Sequence, residues 1–393
     1  MASQFAPISL HTPIIDDALL DRITRTLAEG AEQVDREGVF PAENFRFLAH
    51  EGLIGLTVAR HLGGVGAGLR DALRVLGAVA KGEPSTALIL FMTYAHHAAP
   101  ARTRAWPAGI YEELARAAVA GHGLIGGLRV EPELGTPVRG GMPATTARRT
   151  PDGRGDGWAI SGTKIYSTGS TGLDWFAVWA KTEEDVPRVG TFLVPSDSRG
   201  ITIEPAWDHL GMRATVSHAV HFDATPVPSA YAVDVRAPAD WAVGDVTQTA
   251  WNALAISTIY DGVARAAFDW LVGYLNDRVP ANFGASLATL PRVQEKVGEI
   301  AALLQVNRTL IATAAADCDA GTPPTAIALN TIKHVTTANA IRAVEIGLEL
   351  TGNPGLSRKH PLERHYRDVL CSRIHSPQTD TILVASGRAA LGQ

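Results

Sequence analysis

Apolar positions along the chain change their period twice. Over the first stretch they recur at steps of three and four. Ile15, Leu19, Ile23 and Leu27 step by four behind the acidic Asp16 and Asp17, which predicts a helix over 14–35. Pro41 opens a second helix with Phe47 and Leu48 on its apolar face. Residues 69–82 and 84–101 predict two more, the latter rich in Ala, Leu and Met and carrying Tyr94, His96 and His97. Near residue 121 Gly, Thr and Val rise and the period shifts toward two. Short alternating runs at 123–130, 157–168, 174–181, 190–195, 201–204 and 219–223 predict strands of a small barrel or sandwich. Beyond Pro238-Ala-Asp-Trp241 long Ala/Leu/Ile patterns return over 247–277, 288–318, 325–351 and 361–391, with breaks at Val279-Pro280, Gly321-Thr-Pro-Pro324 and Gly352-Asn-Pro-Gly355. The expected class is α+β multidomain: an N-terminal α-helical domain over 1–120, a central small β-barrel over 121–235 and a C-terminal four-helix bundle over 236–393.

Composition narrows the function classes. The chain has 393 residues, 46% of them hydrophobic and 19% charged, with a formal net charge of -5. That balance is globular and excludes a basic nucleic-acid binder. No apolar run is long enough to span a bilayer, and the first residues carry no signal-peptide pattern, so a cytoplasmic protein is expected. Cys318 and Cys371, the two cysteines, imply a reducing compartment and no disulfide framework. His209, His218 and His221 lack acidic partners at metal spacing, so no metal is expected. The glycines of 63–68 contain G-x-G spacings, but no βαβ unit surrounds them.

The stretch 157–169 ends in Ser167-Thr168-Gly169, where Thr168 offers a hydroxyl beside a glycine that lets a flat ring approach. Its company is informative. Glu51-Gly-Leu-Ile-Gly55 with Gly63-Gly64, Glu131-Pro-Glu-Leu-Gly135-Thr136, Gly162-Thr-Lys-Ile-Tyr-Ser-Thr168, Gly211-Met-Arg213 with Phe222-Asp223, Glu349-Leu-Thr-Gly-Asn-Pro-Gly355 and Glu363-Arg-His-Tyr-Arg367-Asp368 follow one another in order. In this order and spacing the chain resembles the acyl-CoA dehydrogenase superfamily of flavoproteins, over nearly its whole length. The resemblance implies that Leu128, Val130, Thr136, Tyr166, Ser167 and Thr168 line the flavin. It also implies that Glu349 and Gly352 approach the tail of a neighbouring subunit's cofactor. Phe283 and Gln294 belong to a further tail-binding element, in which Pro280 and Pro291 occupy positions where the family has Arg and Gln, and Arg278 substitutes. Glu349 puts a charge where the family has an amide, which a pyrophosphate would repel. A shorter or loosely bound flavin is therefore expected, FMN or FAD.

The catalytic position also departs. The family's base is a carboxylate eight residues after the Asp of its "YRD" motif; here that position is Ser376, within His375-Ser-Pro-Gln378. A hydroxyl without an activating partner is too weak a base. The alternative site on the first bundle helix holds Asn252, and Asp380 lies one turn beyond Ser376. The remaining set is similar to the two-component flavin monooxygenases, such as dibenzothiophene monooxygenase and amine N-hydroxylases. That resemblance implies reduced flavin (FMNH2 or FADH2) delivered by a separate NAD(P)H flavin reductase, O2 as co-substrate, and heteroatom (S or N) oxidation of a small organic substrate through a C4a-hydroperoxyflavin. Thr168, His375, His96, His97 and Ser376 are its candidate catalytic residues, and Tyr94 and Arg213 its candidate substrate contacts. A homotetramer is implied. The other expectations are an FAD-dependent acyl-CoA dehydrogenase with a displaced base, and a non-catalytic flavin- or acyl-binding scaffold.

Overall fold

Capping sets the first helix where the apolar period places it. Asp16 accepts from the Leu19 N–H at 2.8 Å, and Gly38 closes the helix at φ 62°, a left-handed conformation that costs glycine little. The computed structural model describes residues 13–133, 141–151, 156–241 and 244–393. The N-terminal part holds α1 (Asp17–Glu37), α2 (Ala42–His50), α3 (Leu69–Gly82), α4 (Pro84–Thr103) and α5 (Ala108–Val119). Helix α5 is an addition to the sequence reading, although Tyr111, Leu114, Ala115 and Ala118 form its buried stripe. Helix α4 is apolar nearly all round, and it starts at buried Glu83, whose carboxylate accepts from the N–H groups of Ser85 and Thr86.

The strands β1 (Ile125–Leu128), β2 (Thr146–Pro151), β3 (Asp156–Ser167), β4 (Trp175–Thr182), β5 (Val189–Pro195), β6 (Ile201–Glu204), β7 (His218–Pro228) and β8 (Ala232–Arg236) form one sheet. Its order is β6-β7-β3-β2-β4-β5-β8, with β1 attached to β4. The β1–β4 and β2–β4 pairs are parallel. The two branches face each other across aromatic contacts, Trp158 against Phe192 at 5.4 Å and Phe176 against Phe222 at 6.3 Å. Closure is barrel-like rather than complete, because no ladder joins β6 to β8 among the described residues.

The bundle comprises α6 (Val246–Asp277), α7 (Pro291–Asp319), α8 (Ala326–Thr351), the short α9 (Asn353–Leu356), α10 (Leu362–Leu370) and α11 (Thr379–Ala390). The single helix expected over 361–391 is in fact two. Pro377 lacks the N–H that a continuous helix needs, and the chain turns between α10 and α11. Helix α6 is buried along most of its length and packs on α3, α4, α8 and α10, so one hydrophobic core joins the three parts.

A buried ion pair fixes the sheet beneath the motif strands. Lys164, fully buried on β3, donates to Glu131 Oε1 at 2.6 Å and to the Trp179 carbonyl at 2.5 Å. Glu131 also accepts from the Ala144 and Thr145 N–H groups at 2.6 and 3.0 Å. Burial pulls the Lys164 pKa down to about 8. Burial pushes the Glu131 carboxyl up, but its hydrogen bonds, that of Lys164 first, hold it below its ordinary value. Removing one partner strands the other: Lys164→Met or Glu131→Gln is expected to cost about 3–5 kcal/mol in urea unfolding, with the double replacement costing less than the sum.

Two core histidines give the fold a pH dependence. His97 and His365 are buried, and burial, with nearby positive charges second, lowers each pKa from 6.5 to about 3. The folded pKa lies below the unfolded one, so this stability is complete above pH 6.5 and is lost as pH falls toward 3. Each residue contributes a slope of about 1.4 kcal/mol per pH unit in that window. His97 makes no side-chain hydrogen bond, so His97→Leu should flatten the fall in urea midpoint between neutral and mildly acidic pH.

Candidate active site

Two main-chain segments meet at the site. The Ile165 N–H donates to the Val130 carbonyl at 3.0 Å, which joins the strand end at 128–130 to β3. Gly126 lies against the turn after β3: a Cβ there would stand 2.5 Å from Leu173 and 3.3 Å from the Thr168 carbonyl. Helix α4 lies over the same strand, with the Thr93 hydroxyl accepting from the Ile125 N–H at 3.2 Å. Leu128, Val130, Tyr166, Ser167 and Thr168 are therefore close together, next to α4. Thr136 lies outside the described residues.

The two histidines of α4 separate cleanly. His96 is partly exposed and sits over Gly127, where an added Cβ would come within 3.3 Å of the ring. Its Nδ1 lies 2.7 Å from the Met92 carbonyl, which can only accept. Nδ1 therefore carries the proton, and Nε2 is left as an acceptor. Burial lowers the His96 pKa and keeps this neutral form. His96 thus presents Nε2 as an acceptor, which leaves it able to take up a proton but not to donate one from that nitrogen. His97 points the other way, into the core beside Tyr111 at 6.3 Å, which removes it from the candidate catalytic set. Tyr94 is also corrected: it is fully buried, and its hydroxyl donates to the Leu53 carbonyl at 2.8 Å.

A hydroxyl chain ends on Thr168. Thr215 Oγ1 lies 2.8 Å from both the Met212 carbonyl and Ser217 Oγ, and Ser217 donates to Thr168 Oγ1 at 3.2 Å. Run in one direction, the Thr215 proton goes to Ser217 and the Ser217 proton to Thr168, each hydroxyl giving its single hydrogen. The Thr168 proton is then free to point outward. The chain is anchored at Met212, whose N–H donates to buried Asp368 at 2.6 Å. Burial raises the Asp368 pKa to about 7. Beside Thr168, Ser167 Oγ is buried without a partner, and Tyr166 projects into solvent at φ 54° with Trp207 and His209 stacked on each other next to it. An orphaned hydroxyl, a free hydroxyl proton and a strand of glycines where backbone can approach closely fit the edge of a flat, hydrogen-bonding ring.

His375 is held from the bundle. Tyr260 is fully buried, which raises its pKa well above the usual value; among the described residues its hydroxyl has His375 Nε2, 2.6 Å away, as its one hydrogen-bond partner, and a buried O–H with no other acceptor donates there. Nδ1 of His375 is then the N–H donor. Burial, then the charge of Lys333, pulls the His375 pKa down to about 3. Lys333 Nζ donates to the carbonyls of His375 and Pro377 at 2.5 and 2.8 Å and fixes the turn. Ser376, Asp380 and Asn252 are all exposed, and Asn252 accepts from Gln248. Each buried carboxylate among the described residues is engaged elsewhere: Glu51 by Arg22, Glu83 by the α4 N-terminus, Glu131 by Lys164, Asp261 by Arg265 and Asn307, and Asp368 by Met212.

The remaining expected residues lie elsewhere. Arg278, Phe283, Gln294, Glu349 and Gly352 sit at one exposed end of the α6/α7/α8 bundle. Glu349 does not present a bare charge there, because Arg342 pairs with it at 2.7 Å. Arg213 is spent on structure: its guanidinium donates to the carbonyls of Asp35 and His209 at 2.8 and 3.2 Å. It walls a cleft of about 500 Å³ between α1 and α10. No group of three metal-binding side chains occurs among the described residues. No described helix is long and apolar enough to cross a membrane. Ser217, Thr215, Tyr260 and Trp207 were missed in sequence. Only the nearness of Thr215 and Ser217 to the Gly211-Met-Arg213 motif hinted at them.

Comparison with known proteins agrees with this architecture. Family models match in order: acyl-CoA dehydrogenase N-terminal domain over 14–104, middle domain over 130–225 and C-terminal domain over 245–380. A putative acyl-CoA dehydrogenase of Bacillus subtilis, YdbM, is 30% identical over 93% of each chain. L-evernosamine nitrososynthase of a Micromonospora species is also 30% identical, over 98% of this chain and 91% of its own. Among solved structures, KijD3 in complex with FMN and dTDP-3-amino-2,3,6-trideoxy-4-keto-3-methyl-D-glucose superposes with a TM-score of 0.81 at 27% identity, covering 99% of this chain and 97% of that one. With matched domains along most of its length and relatives at this identity, the chain belongs to the acyl-CoA dehydrogenase family of flavin-binding oxidoreductases.

Proposed function

We propose that this protein is the oxygenase component of a two-component flavin monooxygenase that oxidises a heteroatom, nitrogen in the first instance, of a small organic substrate. The observations that carry the reading are a Thr168 hydroxyl that accepts from Ser217 and an unprotonated Nε2 on His96, beside neighbouring glycines of β1, in a chain whose family base position is an exposed serine. The likeness to a nitrososynthase and to an FMN complex with an amino-sugar nucleotide supports nitrogen as the oxidised atom. Bound reduced flavin would supply the electrons that activate O2. Thr168 and its neighbours at 128–130 and 166–167 would hold it.

The chain's own residues divide the proton work. Thr168 donates a hydrogen bond toward the reacting edge, and Ser217 keeps that hydroxyl turned outward. His96 Nε2 accepts the proton that a substrate amine must give up to expose its lone pair. Its lowered pKa keeps it ready to accept at neutral pH. His375 Nδ1–H, oriented by Tyr260, is a second donor. Ile89 and Leu173 close over Gly169 and keep water from the Thr168 turn. A separate NAD(P)H flavin reductase and assembly as a homotetramer complete the proposal.

Mixing the protein with a flavin reductase, NADH, FMN and isotopically labelled O2 should give labelled, oxidised amine products. The second reading, an acyl-CoA dehydrogenase with a displaced base, is favoured by the relatedness to YdbM. Bleaching of bound FAD by an acyl-CoA without reductase, and no label incorporation, would establish it instead. Failure to bind flavin in either redox state would leave a scaffold.

Thr168→Val keeps the shape and removes the donor. It should lower product formation per reduced flavin about a hundredfold, with the reducing equivalents appearing as hydrogen peroxide, while the melting temperature holds. Ser217→Ala should give a smaller loss of the same kind, since it releases the orientation and not the hydroxyl. Equal coupling in Thr168→Val and wild type would remove the threonine from the mechanism.

A further inference from the structure

The strand end that carries the flavin-lining positions also carries a cation that nothing above uses. Arg129 stands between Leu128 and Val130. Strand alternation puts it on the face of Gly127, and Gly127 lies under the ring of His96. In the register of β1 on β4, Leu128 opposes Val178, so Arg129 falls beside Trp179. Its guanidinium lies 4.4 Å from the centre of the Trp179 ring. Trp179 meets Trp241 edge-on at 4.3 Å, and Arg236 covers Trp241 at 3.9 Å. Two indoles in edge-on contact thus lie between two guanidiniums, which holds the Arg129 plane in place.

No neutralising partner accompanies that charge. Among the described residues no carboxylate lies within ion-pair distance of Arg129. The acid with the strongest influence on it, Asp234, is held by Arg236 at 2.7 Å. Arg129 is exposed, so its guanidinium is open to a ligand from solvent. Two residues along the strand from Gly127, it stands on the same face as the proposed proton acceptor His96. An arginine pinned on one face by an indole and free along its edge presents paired N–H donors to a planar or tetrahedral oxyanion.

We propose that Arg129 is a substrate-binding residue, and that the substrate of this site carries an anionic group, carboxylate or phosphate, which docks on the guanidinium while the oxidisable atom faces His96. This deepens the monooxygenase reading and rests on it for the word substrate; the anion site itself does not require it. Binding selectivity follows from charge: a neutral amine of the same size gains nothing from the guanidinium, and an acidic one gains a charge-assisted pair of hydrogen bonds.

The test is a titration of the full-length protein, with and without FMN, monitored by tryptophan fluorescence, because Trp179 underlies the guanidinium. Inorganic pyrophosphate and malonate serve as probes, one for each source of negative charge. Saturable quenching by one of them is expected, weakened at least about tenfold in Arg129→Gln and partly restored in Arg129→Lys, with melting temperatures unchanged. The probe that binds identifies the group. Absence of saturable quenching by either anion in the wild type overturns the proposal, as does equal affinity in Arg129→Gln. Should Arg129→Gln fail to fold, Arg129→Lys decides: unchanged affinity for both probes counts against a docked oxyanion that needs the fork, and a loss supports it. No reductase or O2 is present, so the anion site can fail while labelled oxygen is still incorporated, and the reverse.

Discussion

The pair of Lys164 and Glu131 is the constraint on which the site depends. Each residue sits in one of the two motif strands, and each is buried too deeply to keep its charge alone. Their contact fixes where the strand end at 128–131 lies relative to β3. The Ile165–Val130 hydrogen bond then follows, and with it the placement of Tyr166, Ser167 and Thr168 against Gly126 and Gly127. A hydrophobic pair would fill the same volume without selecting one register. Here four hydrogen bonds to Glu131 and to the Trp179 carbonyl leave the strands one arrangement.

Above that frame the chemistry is assigned by which atoms already have partners. A carbonyl under His96 makes its far nitrogen an acceptor, and a protonated tyrosine under His375 makes its far nitrogen a donor. Two residues of one type thereby present opposite hydrogen-bonding faces, each set by a neighbour from the chain itself. The same logic runs through Thr215 and Ser217 to Thr168, where the last free hydrogen of the chain is at the site. Desolvation holds both imidazoles neutral, so the roles do not switch with small changes of pH.

Much of the fold was legible in the sequence because period and punctuation agree there. The limits of α3, α6 and α8 follow apolar steps of three and four bounded by Gly, Pro or a capping side chain. The last helix was misjudged because its apolar spacing continues through Pro377, and α5 went unread although its stripe is regular. That the segments at 128–130 and 165–168 meet was legible through motif order. The facing of His96 against His97 was not, because neighbours on a helix differ by about 100° and only the packing of α4 on β1 decides between them. Tyr94 and Arg213 were misjudged for a related reason. Their hydroxyl and guanidinium are satisfied by main-chain carbonyls from segments far away in sequence, Leu53 for the first and Asp35 for the second. Glu349 gained its neutralising Arg342 two helical turns away.

The turn between α10 and α11 is fastened by one ammonium, Lys333, through two peptide carbonyls and not through side chains. Every amino acid supplies that carbonyl. The residues of this segment can therefore be exchanged over generations without loosening the bundle that carries them, so long as the lysine stays. A scaffold tied in this way can change the side chains of this turn, Ser376 among them, while its architecture is inherited intact.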